Sequence, residues 1–338
     1  MIIVRPIRSS DYEVLHQIAV ESGHGFTSLP VNEELLTNRI NRATHSFHST
    51  PLQAGNEGYL FVMENTETGE VVGTSGIEAA VGLDDAFYHY HLGKVVHSSR
   101  ELNIYNNVDI LSLNNDYTGA TEICTLFLKA PYRVNNNGRF LSKFRFLFMA
   151  EHPERFNNTV IAEMRGVSDA NGRSPFWQWL EEHFFSMDFP TADYLSGIGN
   201  KAFIAELMPK YPIYVSLLSK QAQEVIGKVH DKTVPALRLL ESEGFVNRGY
   251  VDIFDAGPTV EAELNSIKTV RNSRRLKVKF GSVKNTRKYI ICNTQVAEFR
   301  AVQMPIDIDE EQDIAIIDRK AADAILVSEG DWVRVSQN

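Results

Sequence analysis

The chain has 338 residues, 43% hydrophobic and 23% charged, a balance ordinary for a soluble globular protein and long enough for two or three domains with a sizeable core. Its 34 basic and 43 acidic residues give a net charge of −9, which argues against nucleic acid as the main partner. No run of 18 apolar residues and no secretory leader is visible, and the two cysteines, Cys124 and Cys292, have no metal spacing; together these exclude a membrane span and a metal site and fit a reducing cytoplasm.

The chain opens as a strand, IIVRP, then turns at Arg8-Ser9-Ser10-Asp11. From there Val14, Leu15, Ile18 and Ala19 recur at helical period, with Ser10 or Asp11 as the expected cap. Residues 59–64 and 71–78 predict a hairpin around Thr66-Glu67-Thr68-Gly69. Residues 82–116 are polar and aromatic and read as an insertion holding short strands near 94–97 and 110–113. Residues 122–128 predict a central strand.

The next stretch is the most informative. Residues 124–150, CTLFLKAPYRVNNNGRFLSKFRFLFMA, read as strand, tight loop and helix, the helix carrying Lys143 and Arg145 on another face from its large apolar residues. A loop that opens directly into a helix leaves bare N–H groups and the positive end of the helix dipole, a ready phosphate site. The spacing Arg133-x-x-Asn136-x-Gly138 resembles the R/Q-x-x-G-x-G/A loop with which GNAT-type N-acyltransferases wrap the pyrophosphate of coenzyme A. Asn136 stands at the first glycine, and Asn visits left-handed backbone at modest cost. An Asn/Gly-rich loop alone is commonplace. It gains weight from the opening strand, Arg-Pro, Asp and amphipathic helix, which resemble the first elements of the same superfamily.

Further along, residues 159–165 predict a strand, and Ser174-Pro175 starts a helix that ends at Phe184-Phe185. SPFWQWLEEHFF from Ser174 aligns with VPALRLLESEGF from Val234: Pro175, Leu180, Glu181 and Phe185 match Pro235, Leu240, Glu241 and Phe245 at a constant offset of 60. An apolar strand is expected before each, VIAEM at 160–164 and VIGKV at 225–229. The expected fold class is therefore α+β: a GNAT-like acyl-CoA N-acyltransferase unit with the coenzyme A loop at 1–195, and a degenerate second unit at 196–265. A small β-rich element at 266–338 follows, with strands near 276–280, 289–293, 298–303 and 332–335 and a short helix at 319–327. A single unit with a helical insertion is the other arrangement the repeat allows. The basic cluster 268–279 reads as a solvated linker or strand face.

Longer stretches carry a closer resemblance. GFTSLP (25–30), IEAAVGL (77–83), RELNIYN (100–106), NDYTGATEICTLFL (115–128), NGRFLSKFRFLFMA (137–150), AEMRGV (162–167), FFSMDF (184–189), KAFIAELMPKYPIY (201–214), VIGKVH (225–230) and YVDIFDAGPT (250–259) resemble the arginine N-succinyltransferase family. The family's reaction moves a succinyl group from succinyl-CoA to the α-amino group of L-arginine, the first step of the succinyl route of arginine breakdown. The resemblance implies a cytoplasmic enzyme with no permanently bound cofactor, acting alone as a homo-oligomer or paired with a related chain. It implies His230, of VIGKVH, as the catalytic proton-transfer group, and Leu126 as a succinyl-CoA position. Backbone groups of Leu126, Phe127 and Leu128 would hold the pantetheine arm, and Arg133, Asn137, Gly138 and Arg139 the pyrophosphate. His24 and His97 have weaker claims. Acidic candidates for the guanidinium are Asp116, Glu122, Glu163, Asp252 and Asp255; basic candidates for the substrate carboxylates are Arg165 and Lys201. Cys124 admits a covalent acyl-cysteine as a minor alternative. Another donor or amine, such as acetyl-CoA or ornithine, and a non-catalytic subunit binding coenzyme A or arginine remain competing readings.

Overall fold

The computed structural model describes residues 1–23 and 29–337. His24 and most of the GFTSLP stretch lie outside them. The chain begins with β1 (Ile2–Pro6), α1 (Tyr12–Ser22) and α2 (Glu33–His48). β2 (Gly58–Asn65) and β3 (Glu70–Glu78) form the expected hairpin. Arg5 explains the opening motif: its guanidinium forks onto Asp11 at 2.7 and 2.9 Å and donates to Glu64 at 2.5 Å, all beneath the surface. Asp11 therefore binds Arg5 instead of capping α1, and no side-chain cap bond forms there.

The predicted insertion is one long hairpin, β4 (His89–Ser99) and β5 (Ile104–Asn114), longer than the two short strands expected. β6 (Thr121–Leu128) leads through the loop into α3 (Asn137–Glu151), which returns the chain to β7 (Thr159–Glu163). β6 and β7 are parallel, so a crossover is required, and α3 supplies it. A helical excursion follows: α4 (Pro175–Leu180), α5 (Phe189–Gly197), α6 (Ala202–Leu207), the two-residue β8 (Ile213–Tyr214) and α7 (Lys220–Val225). Then α8 (Val234–Glu243), β9 (Val246–Val251) and β10 (Pro258–Glu263) complete the central body.

Strand order corrects two expectations. The central sheet runs β1-β2-β3-β6-β7-β10-β9, and β10 pairs with β7 from Thr259↔Glu163 to Glu263↔Thr159. The boundary expected at 195 thus cuts through one sheet, and residues 196–265 give their strands to the body begun by residues 1–195. VIGKV is not a strand: α7 ends at Val225, and only an isolated bridge, Gly166↔Val229, follows. The repeated pattern is a local one. α4 and α8 both start with Pro in their first turn, but Phe176 and Trp177 of α4 pack in a second core with Tyr90 of β4 and Phe254, whereas Leu240 of α8 packs in the main core. These pairings join the strands of residues 1–265 in one sheet of an α+β fold.

The main core lies between the sheet and its helices. α3 is buried nearly all round, with Phe144 and Phe148 edge-on to Phe61 at centroid distances of 4.8 and 5.1 Å. The C-terminal element adds α9 (Lys268–Asn272), β11 (Arg274–Phe280), β12 (Lys288–Asn293), β13 (Ala301–Pro305), β14 (Asp307–Asp309), β15 (Ile314–Ile317), α10 (Arg319–Ala324) and β16 (Trp332–Gln337). β13 pairs with β1, so the sheet continues into this element. Arg334 binds Glu151 of α3 at 2.8 Å. The basic cluster is α9 plus β11, with alternate β11 residues buried, as a strand face requires.

Candidate active site

β6 and β7 pair only at Thr121↔Val160 and Glu122↔Ile161, and then they part. The cause is a bulge. Thr125 sits at φ 53°, and the register with β3 shifts between Thr74 and Gly76. A bulge re-aims its strand, and Arg39 of α2 holds this one by donating to Thr125 Oγ1 at 2.8 Å. Beyond it, the β7 side of β6 has no strand partner among the described residues. A cavity of about 430 Å³ opens there, walled by Cys124–Phe127, Arg145, Glu163–Arg165, Lys232 and Asp252.

At the outer end of β6 lies the loop. Asn135 and Asn136 both have left-handed backbone, φ 54° and 64°, and Asn136 is the residue at which α3 begins. Asn therefore takes the conformation for which the motif uses glycine. Among the described residues, the N–H groups of Gly138 and Arg139 have no backbone acceptor, so the helix start is bare. A Cβ at Gly138 would meet only Leu128 Cδ2, at 3.9 Å, so the space in front of it is open.

The other predicted donor-side residues divide by role. Leu126 and Phe127 line the cavity; Leu128 is buried in the main core. Arg133 lines the cavity and donates from Nε to Leu128 O at 2.9 Å, closing the loop on its own strand. Asn137 donates from Nδ2 to Tyr132 O at 3.1 Å, a bond internal to the loop. Arg139 is exposed and borders a separate cavity with Lys143, Lys268 and Arg274.

His230 lies at the rim. Lys232 and Thr233 line the cavity, and His230 precedes them. Its N–H donates to Arg165 O at 2.9 Å, and its Nδ1 accepts the Lys232 N–H at 3.1 Å. That second bond selects the neutral tautomer with hydrogen on Nε2. Partial burial, with Arg165 and Lys232 nearby, holds its pKa below the ordinary histidine value. The ring is thus set as an N–H donor more than as a base. His97 is exposed on the hairpin, stacked on Tyr214, and is not in the cavity wall.

The acidic candidates separate as well. Asp255 accepts Gly166 N–H at 2.6 Å and Gly257 N–H at 2.8 Å; Asp252 Oδ1 accepts Phe254 N–H and Asp255 N–H. These two shape the turn between β9 and β10. Asp116 accepts the Tyr250 hydroxyl at 2.7 Å. Glu122 and Glu163 remain, two residues of adjacent strands on the cavity wall. Burial pushes each up to about 8, Glu122 also by the Glu163 charge and Glu163 by Asp252, while Lys201 pulls Glu163 down. Glu163 Oε1 lies 2.9 Å from Nε2 of His89, a fully buried ring that burial pushes down to about 4. The Glu163 side chain is still about 28% exposed and lines the cavity. Cys124 is unsuited to a covalent route: burial, with Glu122 and Glu78 nearby, pushes its thiol up to about 12.

Sequence reasoning missed His89, which sits in a stretch read as an insertion, and Arg145 as a cavity residue. Arg145 did carry a signal, being an arginine in an otherwise apolar helical run. No group of three or more His, Cys, Asp or Glu with metal-binding geometry occurs among the described residues, and no helix there is long and apolar enough to cross a membrane.

Known proteins align with this architecture along its whole length. Residues 2–269 match the family described as arginine N-succinyltransferase beta subunit, and residues 274–337 match that family's C-terminal domain. An arginine N-succinyltransferase of Escherichia coli K12 is 47% identical over 337 residues, covering 99% of this chain and 97% of its own. The solved structure of arginine/ornithine succinyltransferase subunit AI from Pseudomonas aeruginosa is 36% identical, covers 100% of this chain and 98% of its own, and superposes with a TM-score of 0.91. With its cleft, its bare helix start and this full-length similarity, the chain belongs to the arginine N-succinyltransferase family.

Proposed function

We infer that the chain transfers the succinyl group of succinyl-CoA to the α-amino group of L-arginine, giving N2-succinyl-L-arginine and coenzyme A. The observation that carries this is the parting of β6 from β7 beside the bare start of α3. Unpaired strand backbone suits the amide-rich pantetheine arm, and the helix start suits its pyrophosphate. Leu126, Phe127 and the Gly138–Arg139 N–H groups are the donor contacts this reading uses.

The proton groups follow from the geometry of each end. Glu163 takes the proton that arginine's ammonium must lose before nitrogen attacks the thioester carbon. Its raised pKa lies near that of an α-amine, which suits a general base. The C–N bond forms, the C–S bond breaks, and the electron pair leaves on sulfur. The nitrogen's second proton passes to the departing thiolate, which His230 receives with its Nε2–H. Arg165, with a buried Nε that has no hydrogen-bond partner among the described residues, suits the amino-acid carboxylate.

The test is a thiol-release assay with succinyl-CoA and L-arginine, with the product identified by mass spectrometry. Formation of N2-succinylarginine is expected. Equal or faster transfer from acetyl-CoA would overturn the donor assignment. L-Ornithine belongs in the same assay as a second acceptor, because the Pseudomonas aeruginosa relative is an arginine/ornithine succinyltransferase subunit.

A further inference from the structure

Arg145 carries a charge that no acid of the described residues neutralises. It is 2% exposed and lines the cavity beside Cys124 and Ser142. Its Nε donates to Ser142 O at 3.0 Å, Nη2 to Ser142 Oγ at 2.9 Å and Nη1 to Cys124 O at 3.4 Å. All three acceptors are neutral, and no carboxylate of the described residues bridges to it. Among the described residues Arg5 pairs with Asp11 and Glu64, Lys143 with Glu243 and half-buried Arg39 with Glu78, whereas buried Arg300, like Arg145, has no ion pair. A guanidinium has five N–H donors, so part of this fork is unspent. An isolated buried charge is costly, and such a group is normally completed by an anion.

The position decides which anion. Cys124, whose carbonyl Arg145 touches, immediately precedes the bulge at Thr125, where the cleft between β6 and β7 opens. The pyrophosphate site lies at the other end of the strand, at Gly138 and Arg139, nearly two helical turns before Arg145. An anion reaching Arg145 therefore enters past the thioester. We propose that Arg145 binds the terminal carboxylate of the succinyl group and so selects a dicarboxylic acyl donor. Fork-to-carboxylate pairing is the arrangement guanidinium favours, and it would supply the missing counter-charge. An acetyl group has nothing to offer at this position and leaves the buried cation unpaired.

This rests on succinyl-CoA being the donor, so wild-type donor preference is measured first; if acetyl-CoA is preferred there, the donor assignment fails before any variant is consulted. Calorimetry then compares succinyl-CoA, acetyl-CoA and free coenzyme A on wild type, Arg145→Met, Arg145→Lys and Arg165→Met. Arg145→Met should lower succinyl-CoA affinity at least about tenfold, to the level of acetyl-CoA, and leave free coenzyme A unchanged. Arg145→Lys, which keeps charge but not the fork, should fall between, and it carries the test if the methionine variant does not fold. Arg165→Met should leave donor preference intact. The proposal is overturned if both Arg145 variants keep the wild-type preference, if all three ligands weaken together, or if Arg165→Met is the variant that abolishes the preference.

Discussion

The two ends of the cleft are built from different materials. The donor end is mostly backbone: the open flank of β6, two left-handed asparagines and the unpaired N–H groups that start α3. The acceptor end is side chains gathered from separate elements: Glu122 from β6, Glu163 from β7, His89 from β4, and Asp252 from the turn after β9. A backbone site tolerates changes of residue type as long as conformation is kept. A side-chain site holds charges against their solvation preference, and each group there is tuned by the others. The donor end should therefore fail through geometry and the acceptor end through ionisation.

The largest effects should separate the two proton groups. Glu163→Gln should lower kcat by roughly 10²–10⁴ with donor affinity retained. Because Glu163 must be ionised to accept a proton, wild-type kcat/KM should rise with pH and level off above about 8, and the glutamine variant should lose that rise. Glu122, Asp252, His89 and Lys201 surround the carboxyl, so Glu122→Gln is the necessary companion; a rise lost there and kept in Glu163→Gln would transfer the role. His230→Ala should also lower kcat, by roughly 10²–10³, yet keep the rise near pH 8, because a ring whose pKa is lowered is already neutral there. Disappearance of the rise in His230→Ala would restore His230 as the base.

A smaller effect concerns the scaffold of the acceptor end. Asp255→Ala strips two buried N–H groups, of Gly166 and Gly257, of their acceptor. The loss should be about 3 kcal/mol of stability, read from chemical unfolding. Neighbouring glycines make the turn unforgiving: a Cβ on Gly257 would lie 2.1 Å from Met164 O. A variant as stable as wild type would mean that Asp255 is there for substrate, contrary to the division drawn above.

At the donor end, Gly138→Asp should leave the fold intact, since the added Cβ has open space. It should weaken succinyl-CoA by at least about tenfold, as a carboxylate takes the position a phosphate needs. Unchanged affinity in calorimetry would remove the pyrophosphate from the start of α3.

The same contrast explains what the sequence disclosed. The donor end is one contiguous stretch, so strand, loop and helix could be recognised together, down to Asn136 serving for glycine. Four of the C-terminal strands and α10 were legible from short strand-like runs and turn residues, whereas β14 and β15 were not. The acceptor end was not, because His89 and Glu163 are far apart in sequence and meet only through β4 pairing with β9, and β9 with β10 beside β7. The repeat at offset 60 has a related limit. Pro after a capping position starts many helices, and it says nothing about which core the helix joins. Arg133 lies in the loop and Asn137 opens α3, and their side chains hold the loop together, a role the spacing alone does not distinguish from ligand contact.

The smallest expected effect bears directly on that loop. Asn136 has φ 64°, where glycine is at ease and Asn is tolerated. If the motif's glycine is needed only for conformation, Asn136→Gly should change stability by a few tenths of a kcal/mol and leave succinyl-CoA affinity within about twofold. Asn136→Ala, which forces a Cβ into left-handed backbone with no local polar compensation, should cost about 1–2 kcal/mol and weaken binding through the distorted helix start. If instead the glycine is needed because a side chain obstructs the ligand, Asn136→Gly should tighten succinyl-CoA severalfold while stability stays flat. The Asn136 side chain is exposed and makes no capping bond, so nothing in the loop depends on it. Affinity should therefore follow backbone conformation, as expected of a site made from N–H groups.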